Sequence, residues 1–282
     1  MIDVNKMQEY EFLINDANCD ENKIQDFLEK NTMFIPKKYM ENHGISGNVI
    51  ISKLQLGTKY ETDFAFVSKC TNYWNVVLIE IEKPNKKIFN KEDNFSSEYT
   101  HAKGQINLWK ENIEQDSSLK ESVLKSLDNL FFPINMKNNP INFKYVLVYG
   151  RSNEINNEQR KLRFNQENNR DSDISVVTYD RLKTCWENQA YSNAIIANIK
   201  KGNKLIIKNI PECDFDTSLF AYISPSKIEI SRNQIEMLKK YGYEMEEWLN
   251  NFSLYINNKK ASSNNLTTNL KTTSFEKLKF ND

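Results

Sequence analysis

The stretch TDFAFVSKCTNYWNVVLIEIEKP, residues 62–84, decides the fold. Two runs of apolar, aromatic and β-branched residues, 62–67 and 75–82, flank the turn-forming segment Cys70-Thr71-Asn72. This pattern predicts an antiparallel pair of strands. Opposed residues in such a pair have numbers of constant sum, so a turn centred between residues 71 and 72 places Asp63 opposite Glu80.

The same pairing predicts a cluster of acidic side chains at the end of a buried strand. Glu80 and Glu82 follow the apolar run 76–79 and are two residues apart, so they share one face of the strand with Asp63 opposite. Buried charge is costly, and three neighbouring carboxylates repel unless a divalent cation or a proton lies among them. The alternative is a solvated strand end whose acids face water. The register and the apolar surroundings favour the cluster.

On either side of this stretch, the pattern of apolar residues predicts further helices and strands. Helices are expected from Asp20 to before Pro36, over 96–115, over 154–168, from Tyr179 and near 231–251, and strands over 49–56, 143–150, 174–178 and at KLIIKNI, 204–210. This order predicts an α/β fold with a mixed central sheet flanked by helices. We expect one main domain over residues 1–190, a small C-terminal α/β appendage over 191–256 and a polar tail over 257–282.

Composition excludes several classes of protein. The 282 residues carry 38 Lys plus Arg and 38 Asp plus Glu, so nucleic acid could be bound only by a local basic patch. Two histidines and four scattered cysteines provide no zinc-binding spacing, so any metal must be held by carboxylates. No apolar run is long enough to span a membrane, and residues 1–12 lack the basic start and apolar core of a signal sequence, so we expect neither feature. We therefore expect a cytoplasmic protein without a membrane partner.

Six segments carry a resemblance to a known family. They are TDFAFV, VVLIEIEKP, IFNK, HAKGQINLW, VLVYGR and VVTYDRL, in this order. Together they resemble the Shedu-type nuclease domain, a branch of the PD-(D/E)XK restriction-endonuclease-like superfamily, over roughly residues 15–190. The resemblance implies a PD-(D/E)XK nuclease-like core for the main domain. It also implies a Mg²⁺- or Mn²⁺-dependent endonuclease that cleaves phage double-stranded DNA in bacterial defence, as a homo-oligomer.

The resemblance also implies roles for individual residues. Asp63 corresponds to the motif aspartate and Glu80 to the first acid of (D/E)-x-K, so both would bind the metal. Glu82 stands where the family lysine usually stands, and would be a metal ligand or the acceptor of the proton of the attacking water. Lys83 follows it, but strand alternation points Lys83 to the opposite face unless a bulge precedes Pro84.

Three further residues are candidates on the flanking helices. Gln105 resembles the helix glutamine of the superfamily's Q-x-x-x-(Y/W) motif, and could orient the attacking water or a phosphate. The alternative for Gln105 is a structural amide that caps a strand end. His101 lies one turn earlier on the same face, where a packing role is the alternative to an accessory one. Glu21 could supply the acid that some family members place on the first helix.

The loop after the acids is basic. Residues 83–91 contain Lys83, Lys86, Lys87 and Lys91 and no acid, which predicts a contact with the phosphate backbone of DNA. The alternative is ordinary solvated surface. At the level of the whole protein, the alternative to a nuclease is a catalytically silent nucleic-acid-binding or assembly module that keeps the fold, which the missing motif lysine and the neutral net charge favour.

Overall fold

The fold was determined as a computed structural model that describes residues 4–41, 48–187, 193–200, 203–211 and 218–252. Its helices are α1 Val4–Asn15, α2 Glu21–Lys30, α3 Ser97–Gln115, α4 Ser117–Ser126, α5 Glu158–Asn169, α6 Tyr179–Glu187, α7 Ser218–Tyr222, α8 Arg232–Lys240 and α9 Met245–Asn250. Its strands are β1 Val49–Ser52, β2 Gln55–Leu56, β3 Tyr60–Glu61, β4 Phe64–Lys69, β5 Trp74–Ile81, β6 Ile141–Val148, β7 Ile174–Val177, β8 Ile195–Lys200, β9 Lys204–Asn209 and β10 Ile228–Glu229.

Within the described residues, eight strands form one mixed sheet in the order β10-β9-β8-β1-β4-β5-β6-β7. The neighbours β1–β4, β4–β5 and β8–β9 are antiparallel, and β1–β8, β5–β6, β6–β7 and β9–β10 are parallel. Phe64 pairs with Ile79 and Lys69 with Trp74, so the register predicted from the turn is confirmed. The predicted α/β fold with a mixed central sheet flanked by helices is confirmed.

Alternate residues of the central strands face two different helical layers. Val76 and Leu78 of β5 pack with Ile106 and Trp109 of α3 on one face of the sheet. Val77 and Ile79 pack on the other face, where α1, α2 and α6 contribute Tyr10, Ile24, Phe27, Leu28 and Leu182. Since β5 is buried on both faces, its residues 76–79 form a continuous apolar run, and this run ends at Glu80.

Two elements that were predicted as continuous are each divided into two in the structure. The single strand expected over 49–56 is divided between β1 and β2, because Lys53 has a φ of 55°, which an extended strand does not allow. The single helix expected near 231–251 is divided between α8 and α9. Gly242 adopts a φ of 85° between them, where an α-helix cannot continue.

The C-terminal region continues the central sheet. β8 pairs with β1 in parallel, with Val49 opposite Ile195, and β9 and β10 extend the sheet beyond it. The predicted boundary between a main domain and an appendage stays a prediction, and the tail from residue 257 lies outside the described residues. Over the described ranges, no helix combines the length and apolarity needed to cross a membrane.

Two of the motifs that carry the family resemblance have structural roles here. Arg151 of VLVYGR forms an ion pair with Asp180 of VVTYDRL, with Nη2 2.9 Å from Oδ1. Arg151 Nη1 also donates to the Ile14 carbonyl, which fixes α1 to the end of β6. Gly150 has a φ of 62°, and a Cβ there would lie 2.7 Å from Ile88 Cγ1. A glycine therefore lets the loop 83–91 pack closely over the strand ends.

Candidate active site

Acidic side chains converge at one edge of the central sheet, where β5 ends and β4 begins. Glu80 lies near the carboxyl end of β5, Glu82 follows that strand, and Asp63 immediately precedes β4. Because β4 and β5 are antiparallel, the start of one lies beside the end of the other. Carboxyl ends of strands in open α/β sheets are common ligand-binding positions.

Asp63 is held firmly by two contacts. Only 3% of it is exposed, and its Oδ2 accepts a hydrogen bond from the backbone N–H of Ile81 at 2.8 Å. Its Oδ1 accepts one from Lys53 Nζ at 2.5 Å. Burial lowers the pKa of Lys53, but the hydrogen bond and charge of Asp63, helped by Glu61 and Glu21, outweigh it and leave that pKa raised. Lys53 therefore remains a cation beside Asp63.

Glu80 is the acid of this site whose ionised form is most strongly disfavoured by its surroundings. Gln105 Nε2 of α3 donates to Glu80 Oε1 at 2.7 Å. Burial and, to a lesser extent, the negative charges of Asp63, Glu21 and Glu82 raise the pKa of Glu80 to about 10, against a smaller opposing effect of Lys53. At neutral pH Glu80 therefore holds a proton when no other cation is present.

Glu82 lies in regular extension of β5. Its backbone N–H donates to the Val148 carbonyl at 3.0 Å, so the pairing with β6 continues through residue 82 without the bulge considered for Lys83. The Glu82 carbonyl accepts from the Tyr179 hydroxyl, and its Oε2 lies 2.5 Å from Lys86 Nζ. Lys83 is exposed. The geometry thus leaves Glu82, not Lys83, on the side of the acids.

Glu21 belongs to the same group of charges. It lies in the first turn of α2, which Asp20 caps by accepting from the Lys23 N–H at 2.8 Å. Burial raises the pKa of Glu21, and the charges of Asp63 and Glu82 raise it further. Glu21 therefore lies on the second helix of the fold rather than the first, and α2 together with the β4–β5 hairpin brings four acidic side chains into electrostatic contact.

Oxygen-rich carboxylates are the donors that Mg²⁺ and Mn²⁺ prefer, so the donor set fits a divalent cation. In the part of the chain that the structure describes, no three acidic, histidine or cysteine side chains are already gathered closely enough to hold a metal ion. Lys53 instead forms an ion pair with Asp63, and Lys86 forms one with Glu82. A divalent cation would have to displace these ammonium groups and the proton of Glu80.

The basic loop is fixed next to the acids. Ile88 is fully buried, and its N–H donates to Glu154 Oε2 at 2.8 Å. Lys87 lies 3.1 Å from Glu154 Oε1, and Lys91 is exposed. Two of the four lysines, Lys86 and Lys87, thus have acidic partners, which reduces the positive charge that the loop presents. The DNA-binding role of Lys83, Lys86, Lys87 and Lys91 stays a prediction.

Lys53 is the residue of this site that the sequence reasoning missed. It contributes the cation closest to Asp63, yet it precedes Asp63 by ten residues and lies between strands. The available signal was a lone lysine within the apolar run VIISKLQL, a charge that a buried strand tolerates only when it is paired. His101, by contrast, is exposed on α3 one turn before Gln105.

Glu80→Gln is expected to stabilise the metal-free protein, and the gain should grow with pH. Native Glu80 keeps its proton up to a pKa of about 10, whereas the unfolded chain releases it near 4.5. Stability that is present below about pH 4.5 is therefore lost as the pH rises toward 10, and glutamine has no proton to lose. At about pH 8 the variant should be more stable by on the order of 1–3 kcal/mol, measured by thermal unfolding with a chelator.

The matched control is Glu98→Gln, an exposed glutamate of α3, whose unfolding should follow the parent at every pH. Added Mn²⁺ should reduce or reverse the advantage of Glu80→Gln, because the parent alone offers the carboxylate. Identical pH profiles for the parent and Glu80→Gln would mean that Glu80 is ionised in the native protein.

The fold and this edge of the sheet define an α/β protein with a carboxylate cluster at the strand ends. The family model described as "Shedu protein SduA, C-terminal" matches residues 18–182, which include Glu21, Lys53, Asp63, Glu80, Glu82 and Gln105. The chain therefore belongs to the Shedu protein family, and this membership implies a role in anti-phage defence. A comparison with curated proteins found no match. The family resemblance is confirmed, while the PD-(D/E)XK superfamily stays a prediction.

Proposed function

We propose that this chain is a Mg²⁺- or Mn²⁺-dependent DNA endonuclease that hydrolyses phage double-stranded DNA in the cytoplasm, as a homo-oligomer. The observation that carries the proposal is the position of Glu80 near the end of β5, where it is hydrogen-bonded to Gln105 and where burial and the charges of Asp63, Glu21 and Glu82 raise its pKa. A charge arrangement this unfavourable in a mostly buried group is typical of functional sites. Divalent cations relieve such repulsion, and membership of a defence family supports a nucleic-acid target.

Each residue has a role in this proposal. Asp63 and Glu80 would hold the divalent cation, and Glu82 would bind it too or accept the proton of the attacking water. The cation would neutralise the charge that develops on the phosphate as the bond breaks. Gln105, already bonded to Glu80, would orient the water or a phosphate oxygen. Lys53 and Lys86, once displaced from Asp63 and Glu82, would remain beside the anionic substrate.

A catalytically silent DNA-binding or assembly module is the second candidate, and one observation favours it. Lys53 and Lys86 form ion pairs with two of the acids, Asp63 and Glu82. If these ion pairs were permanent, they would replace the metal rather than yield to it. Lys53 and Lys86 would then serve to stabilise the acid cluster in the folded protein. The chain would bind DNA without cutting it.

A titration with divalent cations distinguishes the two candidates. Purified chain is titrated with Mn²⁺ and with Mg²⁺ by calorimetry, and the same samples are incubated with supercoiled plasmid and with phage DNA. A nuclease binds the cation saturably and produces nicked or linear DNA over the same range of concentration. DNA binding without cleavage at any concentration of either ion would contradict the proposal and support the silent module.

Replacing Lys87 and Lys91 with alanine is expected to weaken binding to all DNA sequences alike and to flatten its dependence on salt. Each phosphate contact that is lost removes about 0.9 from the slope of log affinity against log salt. Lys91 is exposed and should give most of the effect, because Lys87 is shared with Glu154. Lys86 is left in place because it contacts Glu82. Fluorescence anisotropy at several salt concentrations gives the slope.

The control for this pair is Lys227→Ala with Lys240→Ala, two exposed lysines of the C-terminal region. It removes the same charge from the protein and should keep the slope of the parent. Equal slopes for the parent and the loop variant would show that the loop is ordinary surface.

A further inference from the structure

A groove next to Gln105 has no role in the site described so far. The hairpin of β2 and β3 forms one wall, through Tyr60, and α3 forms the other. Its lining consists of Tyr60, Ser97, Thr100, His101, Gly104, Gln105 and Leu108, and it has a volume of about 760 Å³. That volume suits a single small-molecule group rather than a double helix. None of these lining residues is acidic, in contrast to the neighbouring cluster.

Gly104 is the feature of this groove that the fold does not explain. It lies in the middle of a helix of 19 residues, where glycine is less favourable than alanine. A Cβ at this position would meet nothing within 4 Å, so no packing contact requires the glycine. Glycine in such a place is suited to the close approach of a ligand to the helix backbone.

The groove also exposes apolar surface beside the acids. Leu108 is 47% exposed, although it is a large apolar residue on a well-packed helix. Tyr60 lines the same groove, and Lys59 Nζ lies 5.0 Å from the centre of the Tyr60 ring. An aromatic ring with a cation next to it matches a nucleotide, whose base is planar and whose phosphate is anionic.

Gln105 connects the groove to the carboxylates. Its side chain lines the groove and donates to Glu80 Oε1 at 2.7 Å. A phosphate positioned at Glu80 would therefore have its neighbouring nucleoside at the mouth of this groove.

We propose that the groove between Tyr60 and Gly104 binds one unstacked nucleotide of the DNA strand that is cut, next to the phosphate held at Glu80. This inference rests on the proposed nuclease function and deepens it. The base stacks on Tyr60 and contacts Leu108, the sugar passes over Gly104, and Lys59 lies on the side of the adjoining phosphate. The chain thus selects single-stranded or locally opened DNA at the point of cleavage.

The test measures binding separately from cleavage. The full chain is mixed with a short fluorescein-labelled single-stranded oligonucleotide in Ca²⁺, and the affinity is measured by anisotropy. Gly104→Leu fills the groove and should weaken binding at least about tenfold, whereas Asn107→Leu, an exposed position of the same helix outside the lining, should bind as the parent does. Tyr60→Ala should lose about tenfold and Tyr60→Phe should not, since the ring alone is needed for stacking.

The outcomes separate this inference from the nuclease proposal. Weak binding by Gly104→Leu and Tyr60→Ala, in a chain that never cleaves DNA with Mn²⁺, supports the groove and contradicts the nuclease. Cleavage by the parent with equal oligonucleotide affinity for Gly104→Leu and Asn107→Leu supports the nuclease and overturns the groove. If Gly104→Leu changes the oligomeric state by sedimentation but not DNA affinity, the groove binds a second copy of the chain and the inference is wrong.

Discussion

Asp63→Asn and Glu80→Ala are each expected to reduce Mn²⁺-dependent DNA cleavage by about 10³-fold or more, the largest effects that single changes should have in this protein. Each change removes one of the two carboxylates proposed to hold the cation. The readouts are the single-turnover cleavage rate and Mn²⁺ binding by calorimetry, and both should fall together.

The choice of substitution follows from the contacts. Asp63→Ala would leave the buried N–H of Ile81 without its acceptor, at a cost of roughly 1–3 kcal/mol, so a loss of activity could simply reflect a weakened fold. Asparagine keeps an oxygen for that N–H and removes the charge. At Glu80 alanine is suitable, because removing a mostly buried acid with a pKa of about 10 should not destabilise the group of acidic side chains.

Glu98→Ala provides the control for both variants, because Glu98 is an exposed acid of α3. It should cleave as the parent does. Thermal unfolding of all four proteins shows whether activity was lost with the fold intact. If Asp63→Asn and Glu80→Ala cleave DNA with the metal dependence of the parent, the metal site lies elsewhere in the chain.

The part of the site that could be predicted from the sequence is the part built by local pairing. A short turn fixes the register of β4 and β5, and that register alone places Asp63 beside Glu80. The helix α3 could also be predicted from the sequence, because apolar residues recur along it with helical spacing. Gln105 could therefore be placed on the correct helix, and the structure joins it to Glu80.

The remaining features of the fold and the site depend on contacts between distant segments and on backbone conformations that cannot be predicted from the residue type. The positive φ of Lys53 interrupts an apolar run that otherwise indicates one strand, and it turns this lysine toward Asp63. The parallel pairing of β8 with β1 joins residues nearly 150 positions apart, for which no turn gives the register. The neutralisation of the basic loop by Glu82 and Glu154 likewise requires the folded arrangement.

These tertiary contacts also reduce the positive charge that the basic loop, residues 83–91, has available for binding DNA. Read from the sequence, its four lysines form one patch for DNA. In the fold, Lys86 belongs to the acid cluster as the partner of Glu82, and Lys87 pairs with the nearly buried Glu154. Since a lysine that is already paired releases fewer counterions on binding DNA, the proposed function would have this loop guide a strand toward the acids rather than supply most of the affinity.

The second large effect is expected at Glu82 and Lys83, because Glu82 stands where the (D/E)-x-K motif of the predicted superfamily has a lysine. Glu82→Gln is expected to lower the single-turnover cleavage rate by at least about 10²-fold, the usual loss when a general base is removed. Lys83→Ala should change the rate by less than about threefold, because the regular pairing of Glu82 with Val148 leaves Lys83 exposed.

DNA affinity distinguishes the reasons for such a loss. Glu82→Gln removes a negative charge and releases Lys86, so binding should be unchanged or tighter while the cleavage rate falls. If Glu82 only accepts a proton, Glu82→Gln should leave the affinity for Mn²⁺ unchanged. If Glu82 binds the metal ion, the variant should bind Mn²⁺ more weakly. The dependence of the cleavage rate on the concentrations of Mg²⁺ and Mn²⁺ therefore assigns the role. If Lys83→Ala carries the large loss instead, Lys83 must turn inward when DNA binds, and the strand must rearrange before Pro84.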